Sequence, residues 1–165
     1  MDSNQALSAL LVVVGVAIVF TLLALGWRAR RRRQAGLPAL AAPPVTTGAP
    51  LLVDDMLYVA TTAADAPTDR IAVRGLGFRA RAGVTVVPEG VVLSLAGQPD
   101  AFIPRSAVVG VGRATWTIDR VVGKDGLVFV RWILGDAEVD TNLRSEHPDA
   151  LVTALQTLVP TRKAS

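Results

Sequence analysis

The residues with the greatest chemical potential in this chain are its arginines. Arg70, Arg74, Arg79 and Arg81 fall within one short stretch, and Arg79 and Arg81, two apart, would share one face of a strand. Such a row suits phospholipid headgroups or an acidic protein surface, because each guanidinium presents a fixed fork of donors to paired oxygens. Its plainer alternative is a set of surface cations paired with Asp65, Asp69 or strand neighbours. Arg113 and Arg120, on either side of Ala114-Thr115-Trp116-Thr117-Ile118-Asp119, form a second set with the same two readings. Asp136, Glu138 and Asp140 alternate along one strand face and could hold a hard cation through several carboxylate oxygens. More often such a row is the wet side of a sheet, or keeps an edge strand from aggregating.

Other patterns exclude more than they suggest. The chain has no cysteine, which removes disulfides, thiolate zinc sites and cysteine nucleophiles. His147 is the only histidine, so a serine triad would need it beside Ser94, Ser106 or Ser145 with a carboxylate behind. Its place just before Pro148 reads instead as a helix cap. Gly75-Leu-Gly77 and Gly110-Val-Gly112 lack the third glycine and the strand-then-helix context of a nucleotide loop, and read as turns or close-packing positions. No catalytic residue, metal or cofactor is assigned, and the chain reads as non-enzymatic.

The elements that position these residues begin with an anchor. Residues 6–27 are 22 positions without a charge, about 33 Å of helix against a hydrocarbon core of roughly 30 Å. Thirteen of them are Leu, Val, Ile or Phe, favouring insertion by at most roughly 4–8 kcal/mol. Residues 1–5 carry one acid and no base, whereas Trp27 is followed by Arg28, Arg30, Arg31, Arg32 and Arg33. Positive flanks stay inside, so the sequence predicts a single pass through the plasma membrane with residues 1–5 outside and a cytoplasmic C-terminus. The 28–33 cluster serves as a stop-transfer signal and could also meet anionic headgroups. A cleaved signal peptide would carry its charges before the apolar run rather than after it, despite the cleavage-like Ala39-Leu40-Ala41.

Charge splits along the chain. Residues 51–165 hold 12 Lys and Arg against 13 Asp and Glu, one negative charge net. That near-neutral remainder lacks the basic surface by which proteins displace counterions from nucleic acid, so no nucleic-acid partner is expected. Fifteen Arg against two Lys, with much Ala, Val and Gly, is the usage of GC-rich bacterial codons.

Residues 34–50 contain four Pro, two Gly and no charge. They read as an unpacked tether, reaching roughly 50 Å if polyproline-like and about 20–25 Å as a coil. Residues 51–160 then show short runs of Val, Ile, Leu, Phe, Tyr and Trp broken about every eight to twelve residues by Gly, Pro and Asp, the mark of an all-β sandwich or barrel. Strands are predicted at 51–61, 71–74, 78–87, 91–95, 101–104, 107–112, 115–122, 127–134 and 137–143, with 161–165 a short tail. The clearest hairpin runs through Pro88-Glu89-Gly90, where Gly90 offers a left-handed turn conformation. A second turn is Gly123-Lys124-Asp125-Gly126. Leu127, Phe129, Arg131 and Ile133 oppose Val128, Val130, Trp132 and Leu134, which predicts a central strand covered on both faces. After Pro148-Asp149, the residues Leu151, Val152, Leu155, Leu158 and Val159 align on one helical face, to be buried across an open barrel end.

Seven or more antiparallel strands followed by a helix resemble the pleckstrin-homology-like (PH-like) barrel. Three stretches go further: Gly75-Leu-Gly-Phe-Arg-Ala-Arg81, Gly112-Arg-Ala-Thr-Trp-Thr-Ile-Asp-Arg-Val121, and Trp132-Ile-Leu-Gly-Asp136 running on to Asp140-Thr-Asn-Leu-Arg144. In these the whole chain is similar to an actinobacterial family of short membrane proteins that carry a PH-like domain after one N-terminal helix. The resemblance implies a mainly β, PH-like domain and no activity or cofactor. Because this fold hosts lipid, peptide and purely structural roles, function must be argued from the site. The leading expectation is a membrane-anchored binding or scaffold module that recruits or regulates a protein partner, through an exposed strand edge. Sensing of anionic lipid headgroups by Arg70, Arg74, Arg79, Arg81 and the 28–33 cluster is one alternative. An accessory subunit of a transport or cell-envelope complex is another.

Overall fold

The computed structural model describes the backbone of residues 3–34, 36–71, 76–114, 116–117, 120–121 and 127–160, and side chains within 10–29, 32, 34, 36–71, 76–113 and 127–160. It falls into two compact units, residues 1–36 and 37–165. The first unit is one helix, α1, Ser3–Gln34. Its stretch Leu10–Ala29 is long and apolar enough to cross a membrane, and none of that stretch is buried within the structure.

The second unit is mainly antiparallel sheet with a C-terminal helix. Its strands are β1 Leu52–Ala63, β2 Ala66–Arg70, β3 Ala80–Val87, β4 Gly90–Leu95, β5 Ala101–Pro104, β6 Val108–Ala114, β7 Trp116–Thr117, β8 Arg120–Val121, β9 Leu127–Leu134 and β10 Ala137–Arg144, followed by α2, Pro148–Gln156. The sheet order is β5-β4-β3-β1-β10-β9-β6, with β2 pairing off β1. No ladder joins β5 to β6 among the described residues, so the expected barrel is an open, uncompleted one. A single 3-10 turn, Arg105–Ala107, connects these two edge strands.

β1 makes this topology possible. Its first half, Leu52 to Tyr58, pairs with β3, and its second half, Leu57 to Ala63, pairs with β10. The register with β10 slips between Tyr58 and Ala60, a bulge that bends the strand and adds twist. Along β3, β4, β9 and β10 the inward residues alternate with outward ones, as period two requires. Ala82, Val84, Val86, Val91, Leu93, Val128, Val130, Trp132, Val139 and Leu143 line one continuous core. Leu151, Ala154 and Leu155 of α2, with Leu158 just beyond it, complete that core, and α2 lies against β6 and β9.

Several local expectations change. β2 at 66–70 is a strand that the sequence does not lead one to expect; of the strand expected at 71–74, Ile71 is not in a strand and residues 72–74 lie outside the described residues. The strand expected at 115–122 is instead two two-residue pieces, β7 and β8, paired to each other as Trp116↔Val121 and Thr117↔Arg120. The 123–126 turn lies outside the described residues. β9 does sit between two neighbours, but only one of its faces is sealed: Val128, Val130, Trp132 and Leu134 are buried, while Phe129 and Arg131 are half-buried and Ile133 is exposed. Gly90 opens β4 rather than serving the turn alone, since Val87 pairs with Gly90 across Pro88-Glu89. A Cβ there would stand 2.1 Å from the Ile103 carbonyl oxygen and 2.8 Å from the Phe102 ring, so the close approach of β5 demands glycine.

The tether is also packed, contrary to expectation. Leu37 and Leu40 rest against the core, the Ala41 carbonyl accepts from the Phe102 N–H at 2.8 Å, and the Gly48 N–H donates to the Glu89 carboxylate at 3.0 and 3.1 Å. Pro38 lies where a side chain on Gly135 would go, its Cδ 2.8 Å from that position. Two leucines in a Pro/Ala segment carry too little pattern to announce burial, yet the uncovered side of β5 needs a partner for its N–H.

At the bend of β1 a chain of polar groups crosses the core. Trp132 Nε1 donates to Thr141 Oγ1 at 2.9 Å, Thr141 Oγ1 is 2.9 Å from Thr61 Oγ1, and the Tyr58 hydroxyl is 2.8 Å from both Thr61 Oγ1 and the Leu76 carbonyl oxygen. A carbonyl only accepts, so the Tyr58 proton goes to Leu76, Thr61 donates to Tyr58, and Thr141 donates to Thr61. Each of the four donors is then used once, which is what lets so polar a line lie buried.

Burial pushes the Tyr58 pKa upward, partly offset by the Thr61 hydrogen bond and the charge of Arg70. An unfolded tyrosine ionises near pH ~10. The folded state therefore holds a proton that the unfolded state releases, and stability is constant below that pH and falls as pH rises above it. As Tyr58 is the only tyrosine, tyrosinate absorbance in an alkaline titration should appear only together with unfolding. Tyr58→Phe should remove that pH slope and destabilise the domain by about 1–3 kcal/mol at neutral pH.

Candidate functional site

Four groups of polar or exposed residues compete for the role of functional site, and their geometry separates them. The acid row on β10 meets a cation, but the cation is an arginine of the chain. Arg131 Nε and Nη2 donate to Asp140 Oδ1 and Oδ2, both at 2.8 Å, and Nη2 also reaches Asp65 Oδ1 at 2.9 Å. Glu138 stands 3.5 Å from Nε, and the guanidinium lies 5.9 Å from the Phe129 ring centroid. The Asp140 hydrogen bonds foremost, then Asp65, hold the Arg131 pKa above its usual range. The Asp140 side chain is only 15% exposed, so this bidentate pair clamps β9 to β10 and draws in the β1–β2 turn. Among the described residues no cluster of metal-ligating side chains occurs. Asp65, one of the acids expected to serve the 70–81 arginines, thus also serves Arg131.

The lone histidine does meet a serine and a carboxylate. Ser145 Oγ donates to Asp54 Oδ2 at 3.0 Å and accepts from the His147 backbone N–H at 2.9 Å, while His147 Nδ1 is 3.6 Å from Asp54 Oδ2. The serine proton therefore faces the carboxylate directly, whereas nucleophile activation places an imidazole between them. The arrangement ties the start of β1 to the entry of α2. His147 does occupy the N-cap position of α2, but its side chain makes no capping bond.

The 70–81 arginines divide. Arg70 is half-buried at the end of β2 opposite Thr62. Arg74 lies outside the described residues. Arg79 precedes β3, and Arg81 lies within it opposite Leu57, both exposed. Beside them Phe78 is 81% exposed, a feature that the arginine spacing alone does not disclose. Of the membrane-proximal set, Arg28 and Arg32 are exposed, and the side chains of Arg30, Arg31 and Arg33 lie outside the described residues. Arg113 pairs with Asp149 in the first turn of α2, and the side chain of Arg120 lies outside the described residues.

The fourth group is the edge strand β6, which among the described residues pairs with β9 alone. It carries the Gly110-Val-Gly112 pair. At Gly112 a Cβ would meet the Phe129 ring at 2.6 Å, so that glycine serves packing. At Gly110 nothing lies within 4 Å of where a Cβ would be. Val109, at the bulge between Val108 and Gly110, is exposed. The Arg113–Asp149 pair holds α2 beside this edge. An edge strand offers backbone donors and acceptors, and a strand glycine with open space around it admits another backbone closely.

The Arg131 clamp yields a stability test. Arg131→Leu leaves Asp140 without its fork and should destabilise the domain by about 2–4 kcal/mol in chemical denaturation, while Arg131→Lys should lose about 1 kcal/mol. The double variant Arg131→Leu/Asp140→Leu should recover most of the single-variant loss.

Residues 37–159 match the family described as bacterial PH domain-like. No curated protein matches the chain. The crystal structure of the C-terminal domain of an unknown protein from Leishmania infantum aligns with 82% of this chain and 96% of its own, at 12% identity and a TM-score of 0.39. The family match opens at Leu37, where the second compact unit also begins, and spans every strand and α2. The chain therefore belongs to the bacterial PH domain-like family.

Proposed function

We propose that this chain is a membrane-anchored, non-enzymatic binding module that recruits or regulates a protein partner at the cytoplasmic face of the plasma membrane, with β6 as the docking edge. The carrying observation is Gly110: among the described residues it lies on an edge strand paired on one side, with open space where a side chain would stand. A partner strand added there would gain main-chain hydrogen bonds, and the exposed Val109 and the neighbouring α2 would supply side-chain selectivity. The apolar α1 and the arginines that follow it support the anchor and its orientation.

A second reading, contact with anionic lipid headgroups, is favoured by one observation of its own. Phe78 stands exposed beside Arg79 and Arg81, a pairing of apolar tip and cations that suits a bilayer interface. The 28–33 arginines would add to it.

Site-specific photocrosslinking of the full chain in intact membranes separates the two. A crosslinker at position 110 should give a discrete protein adduct, one at the exposed Ser94 none, and one at position 78 no lipid adduct. Lipid adducts at 78 with nothing at 110 would replace the first reading with the second.

A further inference from the structure

The side of β5 away from β4 is already occupied, and by a segment with the chemistry of a ligand. Residues 37–48 are uncharged and hold three alanines and three prolines between Leu37 and Gly48. Leu37 and Leu40, three apart, both meet the core. Three is the repeat of an extended polyproline-like segment, which puts both leucines on one face. Between them and β5 runs one backbone bridge, Ala41 with Phe102, and the far end is held by the Gly48 N–H on Glu89.

That hold is thin beside the rest of the sheet. β3 and β4 pair over six residues, and β10 and β9 over seven, whereas among the described residues this segment has a single bridge. Pro38, Ala39, Ala41, Ala42 and Val45 are exposed, and Leu37 and Leu40 are only half-buried. Without it, however, the Phe102 N–H and part of the core would face water. The geometry is that of a groove that needs an occupant and holds this one lightly.

We propose that the groove along β5 is a binding site for an extended, uncharged, proline-containing peptide with two aliphatic side chains three apart. Residues 37–48 are its resident occupant, and a partner segment of the same chemistry displaces them. Displacement changes the tether. With the segment docked, only residues 35 and 36 separate α1 from the domain, a reach of about 7 Å. With it released, residues 35–50 are free, a coil of about 20–24 Å. Partner binding at this groove thus lengthens the stretch of chain available as a linker after α1.

This site is distinct from the β6 edge, and its test does not depend on that edge or on the anchor. A protease recognition sequence is inserted between Ala49 and Pro50 of the full chain in detergent micelles, which is then cleaved and run on a sizing column. The two fragments should elute together, and a synthetic peptide of residues 37–49 should separate them in a dose-dependent way. The same peptide with Leu37→Asp and Leu40→Asp should not. Fragments that part on cleavage alone, or that stay together at saturating peptide, overturn the proposal. So does unfolding of the 50–165 fragment on release, read by loss of its circular dichroism, because the segment would then be part of the fold and not a ligand.

Discussion

β1 is shared by both halves of the sheet, and the bend between Tyr58 and Ala60 sets how the two halves meet. The buried line from Trp132 through Thr141 and Thr61 to Tyr58 and Leu76 lies at that bend. A polar line in a core is tolerable only when every donor finds an acceptor. Here the requirement specifies one register for β1 against β10, because a slip of one residue would turn Thr61 and Thr141 outward and strand the Trp132 N–H. The same line reaches Leu76 through its carbonyl, so Leu76 is fixed by the core it helps to cover.

A sheet that bends about one strand without closing leaves two edges and an uncovered stretch of core. The chain covers them with three different elements. α2 supplies Leu151, Leu155 and Leu158, Ile71 and Leu76 close in from the loop after β2, and residues 37–48 lie along β5. Among the described residues β6, at the other end of the strand order, keeps β9 as its one neighbour. The two clamps, Arg131 with Asp140 and Asp54 with Ser145 and His147, hold the sheet's corners and take up side chains that would otherwise look like reaction centres. What remains outward is an edge, an exposed phenylalanine with two arginines, and a lightly held segment, each suited to contact with another surface.

Much of this was legible in the sequence, for physical reasons. The strands at 101–104 and 127–134 coincide with expectation because apolar alternation between turn residues is a local signal. The helix start at Pro148 is equally local. β2 goes unannounced because Ala66-Pro67-Thr68-Asp69-Arg70 has no apolar period to betray an edge strand. The alternation of 115–122 hid a break, since a two-residue ladder and a continuous strand share the same pattern. The Arg131–Asp65 contact joins residues 66 apart, and no spacing rule predicts a pairing at that range. Packing of the tether escaped notice because it depends on an unfilled edge that exists only once the sheet has formed.

The central claim is that one edge of the sheet is covered by the chain's own 37–48 segment and the other is open. Residue-resolved amide hydrogen exchange on the full chain under native conditions tests it directly. The account predicts slow exchange at the Phe102 amide, and along β6, Val108–Ala114, alternation between slow amides that face β9 and fast ones that face outward. Uniformly slow exchange through β6, or fast exchange at Phe102, would contradict it.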